Sequence, residues 1–240
     1  TGGTYEGIYK KLLLITQLEK ISWVNVITFN LDEYVWDNPD AVKRFYDRES
    51  YRNFMYNNLF DEAKKHGLKE ENIHLMDGLT NNPELEVKIY EAAIMRETND
   101  QGVDLQVLGI GVEGHIAFVE ARPDMALDDF LGLKTMVHDL AESTIGANSR
   151  FFGDDIKSVP TRAMTQGIST ILKAKQILLV ATGSGKADAI NKTIAGKVIP
   201  AVPASVLQVH KNATIIVDRA AANGLIESAS KTISMEDLVR

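Results

Sequence analysis

The stretch LGIGVEGHIAFVE (residues 108–120) decides how we interpret the fold of this chain. It continues the apolar run VDLQVL (residues 103–108), which predicts a buried strand, and its glycines allow a tight turn close to a ligand. His115 ends the turn, with Glu113 before it and Glu120 after it. Enzymes with α/β folds place their chemistry where such a turn leaves the carboxyl end of a parallel strand. A structural histidine in an ordinary turn is the alternative that the spacing alone leaves open.

Composition limits the class of protein. With 240 residues, 45% of them hydrophobic, the chain can form one large α/β domain or two small ones. The net charge of −7 argues against a nucleic-acid or anionic-membrane partner, since phosphate binding needs clustered Lys and Arg. The sequence has no cysteine, which fits a reducing cytoplasm. No apolar run approaches the roughly 20 residues of a membrane helix.

Runs typical of strands alternate with helical patterns along the chain. Predicted strands cover residues 24–31, 71–78, 103–108, 134–140, 176–181 and 213–218, and predicted helices cover residues 5–14, 49–65, 83–98 and 165–174. Residues 36–48 are predicted to form a polar loop, and residues 121–133 a surface loop or lid. The alternation predicts right-handed βαβ crossovers in a Rossmann-like three-layer αβα sandwich with a mostly parallel sheet. We expect a single domain over residues 1–240.

A glycine turn, TGGT (residues 1–4), opens the chain and leads into the first predicted helix. Because such a turn normally follows a strand, we interpret the chain as N-terminally incomplete. Hydroxyl groups and amides at a helix N-terminus form an anion site, whereas helix capping by Thr4 is the simpler alternative.

Acidic and aromatic side chains follow the strand predicted over residues 24–31. Asp32 could be aimed into the same crevice as His115, or it could simply begin a loop. Tyr51, near the start of the helix predicted over residues 49–65, either packs internally or reaches a ligand.

Two basic residues are candidates for binding a phosphoryl group. Arg150 is either a surface charge or a phosphate fork, for which its planar guanidinium is suited. Lys186 follows the turn TGSG (residues 182–185) after a predicted strand. This turn lacks the spacing and the Ser or Thr of a Walker loop, but it could bind one phosphoryl group through its amides and the lysine.

Several of these segments together resemble the glucosamine-6-phosphate deaminases, which are sugar-phosphate isomerases with a Rossmann-like fold. The matching segments are TGGT (residues 1–4), FNLDEYV (29–35), SY with FM (50–55), GIGVEGHIAFVE (109–120), NSRFF with VP (148–160), GSGKA (183–187) and PASVLQVH (203–210). They follow the order of the family and span nearly the whole chain. In that family a further strand and helix precede the first turn, which agrees with an incomplete N-terminus.

The resemblance implies conversion of glucosamine 6-phosphate and water to fructose 6-phosphate and ammonia, without a metal or an organic cofactor. Asp32 would be the base that moves a proton between C2 and C1 of the opened sugar. His115 would open the pyranose ring, and Glu113 and Glu120 would orient and tune the imidazole. A base needs a carboxylate within reach of the C–H bond, and a ring-opening group needs a pKa near neutrality.

The resemblance also implies the substrate contacts. A clamp on the 6-phosphate would fix the sugar far from the reacting carbons. The clamp would comprise Gly3, Thr4, Arg150 and Lys186, and the nearby contacts would be Tyr34 and Tyr51.

The sequence departs from the family pattern at several places. Val119 and Ala121 flank Glu120 where the family usually has Asn and Pro. Glu113 replaces an Asp of many members, and Trp36 begins a segment that is usually Gly-Leu-Pro, which would place an indole at the rim of the site.

Other functions remain open from the sequence. Galactosamine 6-phosphate is the alternative substrate, and a 6-phosphogluconolactonase, which needs no C2 base, is the alternative enzyme. A non-catalytic sugar-phosphate sensor would keep the phosphate residues and lose the acid–base set. We expect a small-molecule sugar phosphate as the partner and a cytoplasmic location, and a homo-oligomer is an open alternative to a monomer.

Overall fold

The computed structural model describes residues 3–225. The chain divides into two compact units. Unit one comprises Thr1–Asp100 and Lys134–Gln166, and unit two comprises Gln101–Leu133 and Gly167–Arg240. The single domain stays a prediction. Over residues 3–225, no helix is long and apolar enough to cross a membrane.

Helices and strands alternate through the described region. The helices are α1 (Gly3–Leu18), α2 (Pro39–Glu49), α3 (Tyr51–Met55), α4 (Asp61–Lys64), α5 (Pro83–Glu97), α6 (Leu127–Leu131), α7 (Glu142–Asn148), α8 (Ile168–Leu172) and α9 (Ala187–Ala195). The strands are β1 (Thr28–Phe29), β2 (Asp32–Tyr34), β3 (Ile73–His74), β4 (Leu105–Leu108), β5 (Met136–Asp139), β6 (Arg162–Thr165), β7 (Gln176–Ala181) and β8 (Ala213–Val217). A π-helical turn, Tyr56–Phe60, joins α3 to α4.

Unit one contains one parallel and one antiparallel sheet. Strands β1 and β3 pair in parallel, and β2, β6 and β5 form an antiparallel sheet in that order. Between β1 and β2 the carbonyl of Asn30 accepts hydrogen bonds from the Tyr90 hydroxyl at 2.8 Å and from the Gln166 side chain at 2.9 Å. These side chains fix the point at which the chain passes from one sheet to the other, two residues before Asp32.

Unit two is built on a parallel sheet with the order β4-β7-β8. Leu108 pairs with Leu179, and Ala181 pairs with Val217. The carboxyl ends of β4 and β7 therefore lie side by side, and the turns that follow these two strands leave the same edge of the sheet. This is the arrangement in which open α/β sheets gather polar side chains. The parallel strands confirm the predicted α/β class.

Several sequence predictions about elements were wrong. The strand predicted over residues 24–31 shortens to Thr28–Phe29, because Val24 and Ile27 are exposed and Val26 closes a turn onto Trp23. Asp32 then begins strand β2 instead of a loop. The predicted helix over residues 165–174 begins only at Ile168, because Arg162–Thr165 is the central strand β6 of an antiparallel sheet.

The polar loop predicted over residues 36–48 contains helix α2. Asn38 caps this helix, since its Oδ1 accepts hydrogen bonds from the backbone N–H groups of Asp40 at 3.0 Å and Ala41 at 3.3 Å. Pro39 occupies the first turn, where its fixed φ suits a helix. Ala41 and Phe45, four residues apart, form the buried face.

Gly78 lies against the strand that carries Asp32. A Cβ atom added to Gly78 would lie 2.5 Å from the carbonyl oxygen of Tyr34, 2.8 Å from Cδ1 of Trp36 and 2.9 Å from Cγ of Glu33. The first of these contacts is with backbone, so a side chain at position 78 must displace the end of β2.

Gly78→Ala is expected to lower the free energy of unfolding by about 1–3 kcal/mol, which is the usual range for overpacking. Gly146→Ala is the matched control, because an added Cβ at this helical glycine meets nothing within 4 Å. The control should be neutral or stabilising by up to about 1 kcal/mol. Urea denaturation of both variants measures the difference, and equal stabilities would contradict the close approach.

Candidate active site

Asp32 is a buried carboxyl group at the start of β2. Only 9% of its surface is exposed. Burial raises the pKa of Asp32 to about 6, because the charged form is deprived of water. A carboxylate in this state accepts protons near neutral pH, as a general base must.

Phenol groups share the surroundings of Asp32. Burial, followed by the charge of Asp32, raises the pKa of Tyr9 to about 12. Burial is also the main cause of the raised pKa values of Tyr34 and Tyr51, to which the Asp32 charge contributes. The rings of Tyr34 and Tyr51 lie 5.1 Å apart, and a hydrogen bond joins their hydroxyls. The Tyr34 hydroxyl also accepts a hydrogen bond of 2.9 Å from Asn148.

Glu33 is the second buried carboxyl group of β2, with 2% of its surface exposed. Its Oε1 accepts hydrogen bonds from the backbone N–H groups of Tyr34 at 2.8 Å and Tyr51 at 3.2 Å, and from the Trp36 indole at 3.3 Å. Its Oε2 accepts from the backbone N–H of Arg52 at 2.8 Å. Burial raises the pKa of Glu33 to about 7, although these four hydrogen bonds act in the opposite direction.

The candidate phosphate residues of unit one lie on α1 and on the segment after α7. Gly3 begins helix α1 and Thr4 is in its first turn, while Thr1 and Gly2 lie outside the described residues. Arg150 is exposed, and its guanidinium carbon lies 4.7 Å from the centre of the Phe151 ring.

The segment that carries Arg150 is anchored on both sides. Asn148 binds the hydroxyl of Tyr34, and the fully buried Phe152 packs its ring 6.0 Å from the Tyr34 ring. These contacts hold the segment of Arg150 against the end of strand β2.

In unit two, the turn after β4 places the imidazole of His115 directly over Gly111. A Cβ atom on Gly111 would lie 2.2 Å from Cε1 and 2.4 Å from both nitrogens of His115. The Gly111 N–H donates to the carbonyl of His115 at 2.9 Å, which closes the turn. Gly114 has a φ of +88°, a conformation that favours glycine. Its carbonyl accepts from the N–H of Ala204 at 2.9 Å.

Charged side chains act on His115 from within unit two. Burial lowers the pKa of His115; the charges of Glu120 and Glu113 raise it, and the charge of Lys186 lowers it. The imidazole is therefore neutral at pH 7 and can accept a proton. The predicted flanking acids and the predicted lysine thus form one electrostatic group with the histidine. The turns after the adjacent strands β4 and β7 bring them together.

The turn that carries Lys186 is organised by an aspartate that the sequence analysis missed. Gly183 has a φ of +89°, and its N–H donates to both carboxylate oxygens of Asp218 at 3.1 Å. Asp218 follows β8, the neighbour of β7. The Asp218 carboxylate therefore accepts the hydrogen bond of one of the amides that we expected to face a phosphoryl group.

The structure distributes the ten predicted site residues between the units. Asp32, Tyr34 and Tyr51 lie together in unit one, which also contains Gly3, Thr4 and Arg150. Glu113, His115, Glu120 and Lys186 lie together in unit two.

Three residues of unit one were not recognised as candidates. The missed residues are Tyr9, Glu33 and Asn148. Tyr9 carried a detectable signal, because it lies one helical turn after Tyr5 on the helix that follows the first glycine turn. The expectation that Trp36 lies at the rim of a site was wrong: its side chain is 5% exposed and its indole N–H binds Glu33.

Comparison with known proteins adds independent information. The sequence pattern of the family described as glucosamine-6-phosphate isomerases/6-phosphogluconolactonase matches residues 1–119. A glucosamine-6-phosphate deaminase of Clostridium acetobutylicum is 45% identical over 228 residues, covering 94% of this chain and 86% of the relative. The chain belongs to the glucosamine-6-phosphate isomerase/6-phosphogluconolactonase family. A second member, the glucosamine-6-phosphate deaminase of Thermoanaerobacter pseudethanolicus, is 41% identical over 98% of this chain and 85% of its own length.

Solved structures of the family have the same fold. A glucosamine-6-phosphate deaminase described as monomeric is 37% identical, with a TM-score of 0.78 over 93% of this chain and 85% of its own. A 6-phosphogluconolactonase from Trypanosoma cruzi is 21% identical, with a TM-score of 0.66 over 94% of this chain and 82% of its own, and this likeness shows the fold alone.

The charges around His115 predict opposite effects of two substitutions. Lys186→Met removes a positive charge and should raise the pKa of His115, whereas Glu120→Gln removes a negative charge and should lower it. Titration of the imidazole Cε1–H signal by NMR, assigned with His115→Asn, measures both. Shifts in the same direction for the two variants would refute the arrangement.

Proposed function

We propose that this chain converts glucosamine 6-phosphate and water to fructose 6-phosphate and ammonia, the reaction that the family resemblance implies; its relatives are named glucosamine-6-phosphate deaminases. The observation that carries the proposal is the buried carboxyl group of Asp32, whose pKa of about 6 suits a base. Moving a proton between two carbons of a sugar needs such a base, whereas opening a lactone does not.

Asp32 acts on the opened sugar. Its carboxylate takes the proton from C2 while the C1 oxygen gains a proton, which gives an enolamine. The proton then returns to C1 as the nitrogen loses one, leaving a C1 hydroxyl and a C2 imine that water hydrolyses to the ketone and ammonia. Desolvation makes the carboxylate a stronger base than it would be in water, while a pKa near 6 keeps it ionised at pH 7. The phenols that share its surroundings stay protonated, since their pKa values are raised.

His115 acts earlier, when the pyranose ring opens. Ring opening moves a proton from the anomeric hydroxyl to the ring oxygen. A neutral imidazole can accept the proton of the hydroxyl and then deliver a proton to the ring oxygen. Glu120 and Glu113 stabilise the imidazolium that forms between these two events, because their charges favour it. The contact with Gly111 limits where the ring can lie.

The phosphate of the substrate binds basic residues and amides. Arg150 is exposed on an anchored segment, and the first turn of α1, with Gly3 and Thr4, presents N–H groups at a helix N-terminus. Lys186 is half-buried and follows a glycine turn. We assign these four residues to the 6-phosphate and Tyr34 and Tyr51 to contacts with the sugar. We also infer a cytoplasmic location, which suits a phosphorylated substrate and a sequence without cysteine.

Asp32→Asn should lower the rate of turnover severely. Release of ammonia and fructose 6-phosphate from glucosamine 6-phosphate should fall by about 10²- to 10⁴-fold, the usual contribution of general acid–base catalysis. Galactosamine 6-phosphate, assayed in parallel, tests the choice of sugar. A wild-type protein that turns over neither sugar but is stabilised by sugar phosphates would contradict the proposal and favour a sensor.

The same variant should be more stable than the wild type at high pH. The folded pKa of Asp32 is raised, so its contribution to stability is complete below about pH 4 and is lost as the pH rises through about 6. Asparagine mimics the neutral acid, so Asp32→Asn should gain on the order of 1–3 kcal/mol at pH 8, and the gain should shrink toward pH 4. Urea denaturation at pH 5 and pH 8 measures both values.

Gly111→Ala should remove activity without unfolding the protein. The new methyl group collides with the imidazole, which is the end of a side chain and can rotate away. We expect kcat to fall by about 100-fold or more, as misplacement of a reacting group does, with little change in melting temperature. Gly146→Ala serves again as the control, and full activity of Gly111→Ala would show that the ring position is irrelevant.

A further inference from the structure

We propose that Glu33 is a positioning residue, which fixes strand β2 to the first turn of helix α3 and so holds Asp32 and Tyr51 in their working arrangement. The inference rests on the proposed function, since it assigns Asp32 the role of base. All residues involved belong to unit one.

The four donors of Glu33 come from two different elements. Tyr34 and Trp36 belong to the chain of β2 and its continuation, whereas Tyr51 and Arg52 are the first two residues of α3. A carboxylate that accepts from both sides joins the strand to the helix. When the carboxylate is ionised, these hydrogen bonds are charge-assisted and about twice as strong as neutral ones, and water is excluded here.

Helix α3 carries the phenol of Tyr51 toward Asp32. Tyr51 is bonded to the hydroxyl of Tyr34, and the charge of Asp32 acts on both phenols. Asp32 and Tyr34 flank Glu33 in the chain, so their side chains lie on the opposite face of β2 from that of Glu33. A change in the bonds of Glu33 would therefore move Tyr51 relative to the base without any contact between Glu33 and a substrate.

Trp36 closes the surroundings of Glu33. Its indole N–H is one of the four donors, and its ring packs against Tyr46 at 5.4 Å and Phe152 at 6.0 Å. The indole also lies close to Gly78, and a side chain at position 78 would collide with it. The indole thus both excludes water from the carboxylate and satisfies one of its lone pairs.

Helix capping alone is the competing explanation, and the chain offers a matched control for it. Ser50 is the N-cap of the same helix, and its Oγ accepts a hydrogen bond of 3.2 Å from the N–H of Asn53. Ser50→Ala weakens the start of α3 without touching the link to β2. Glu33→Gln keeps the size of the side chain but places an amide N–H₂ where one of the backbone N–H donors points.

The kinetic experiment compares Glu33→Gln, Trp36→Phe and Ser50→Ala with the wild type on glucosamine 6-phosphate. We expect Glu33→Gln to lower kcat by roughly 10- to 100-fold with KM changed less than about threefold, because the base is misplaced and the phosphate contacts are intact. Trp36→Phe loses one donor and keeps an aromatic ring, so its kcat should lie between those of Glu33→Gln and the wild type. Ser50→Ala should lower the melting temperature and leave kcat within about twofold.

Amide hydrogen exchange tests the structural part without substrate. Glu33→Gln should speed exchange at Tyr51 and Arg52, and Ser50→Ala should speed it chiefly at Asn53. Unchanged exchange at Tyr51 and Arg52 in Glu33→Gln would overturn the proposed link between strand and helix.

The outcomes separate this inference from the proposed function. If the wild type turns over the sugar phosphate and Glu33→Gln behaves like Ser50→Ala, Glu33 is only a helix cap and the inference fails while the function stands. If the wild type turns over neither amino-sugar phosphate, the proposed function fails, and the positioning role fails with it.

Discussion

Desolvation of the two neighbouring carboxyl groups of β2 is the constraint on which unit one depends. Burying an acid is unfavourable unless donors surround it, and the two acids meet this requirement differently. Glu33 receives four N–H groups and becomes a link between strand and helix. Both carboxyl groups keep a raised pKa, about 7 for Glu33 and about 6 for Asp32, but Asp32 lies among phenols that stay protonated. Adjacent residues of one strand thus have a fixed acid and a reactive one, because their side chains face opposite environments.

Unit two solves a different problem with backbone geometry. Parallel pairing of β4 with β7, in which Leu108 lies beside Leu179, places the turns after both strands at one edge of the sheet. The imidazole of His115 and the ammonium group of Lys186 therefore act on each other although they are far apart in sequence. Glycine at position 111 then leaves room for the imidazole over the main chain. The charges set the proton affinity of the ring, and the glycine sets its place.

Features encoded in short stretches could be predicted from the sequence, and those that depend on distant partners could not. The turn of His115 and the strands of unit two follow from local apolar runs and glycines. Helix α2 could also be predicted, because Asn38 and Pro39 form a helix-capping signal, although a loop is the prediction given above. The donors of Glu33 could not be predicted, since Tyr51 and Arg52 approach it only in the folded chain. The same applies to Asp218, whose role depends on a β-strand pairing.

The interleaving of the two units along the chain has a consequence for biosynthesis. Neither unit is continuous, since the segment Lys134–Gln166 of unit one interrupts unit two. On a ribosome that adds about 5–20 residues per second, β4 emerges several seconds before β7 exists to pair with it. During that interval β4 lacks β7, its partner in the described region (residues 3–225), and such non-local parallel pairing is intrinsically slow to form. The nascent chain therefore passes through a stage in which the strand beside the histidine turn is exposed to chaperones and to aggregation.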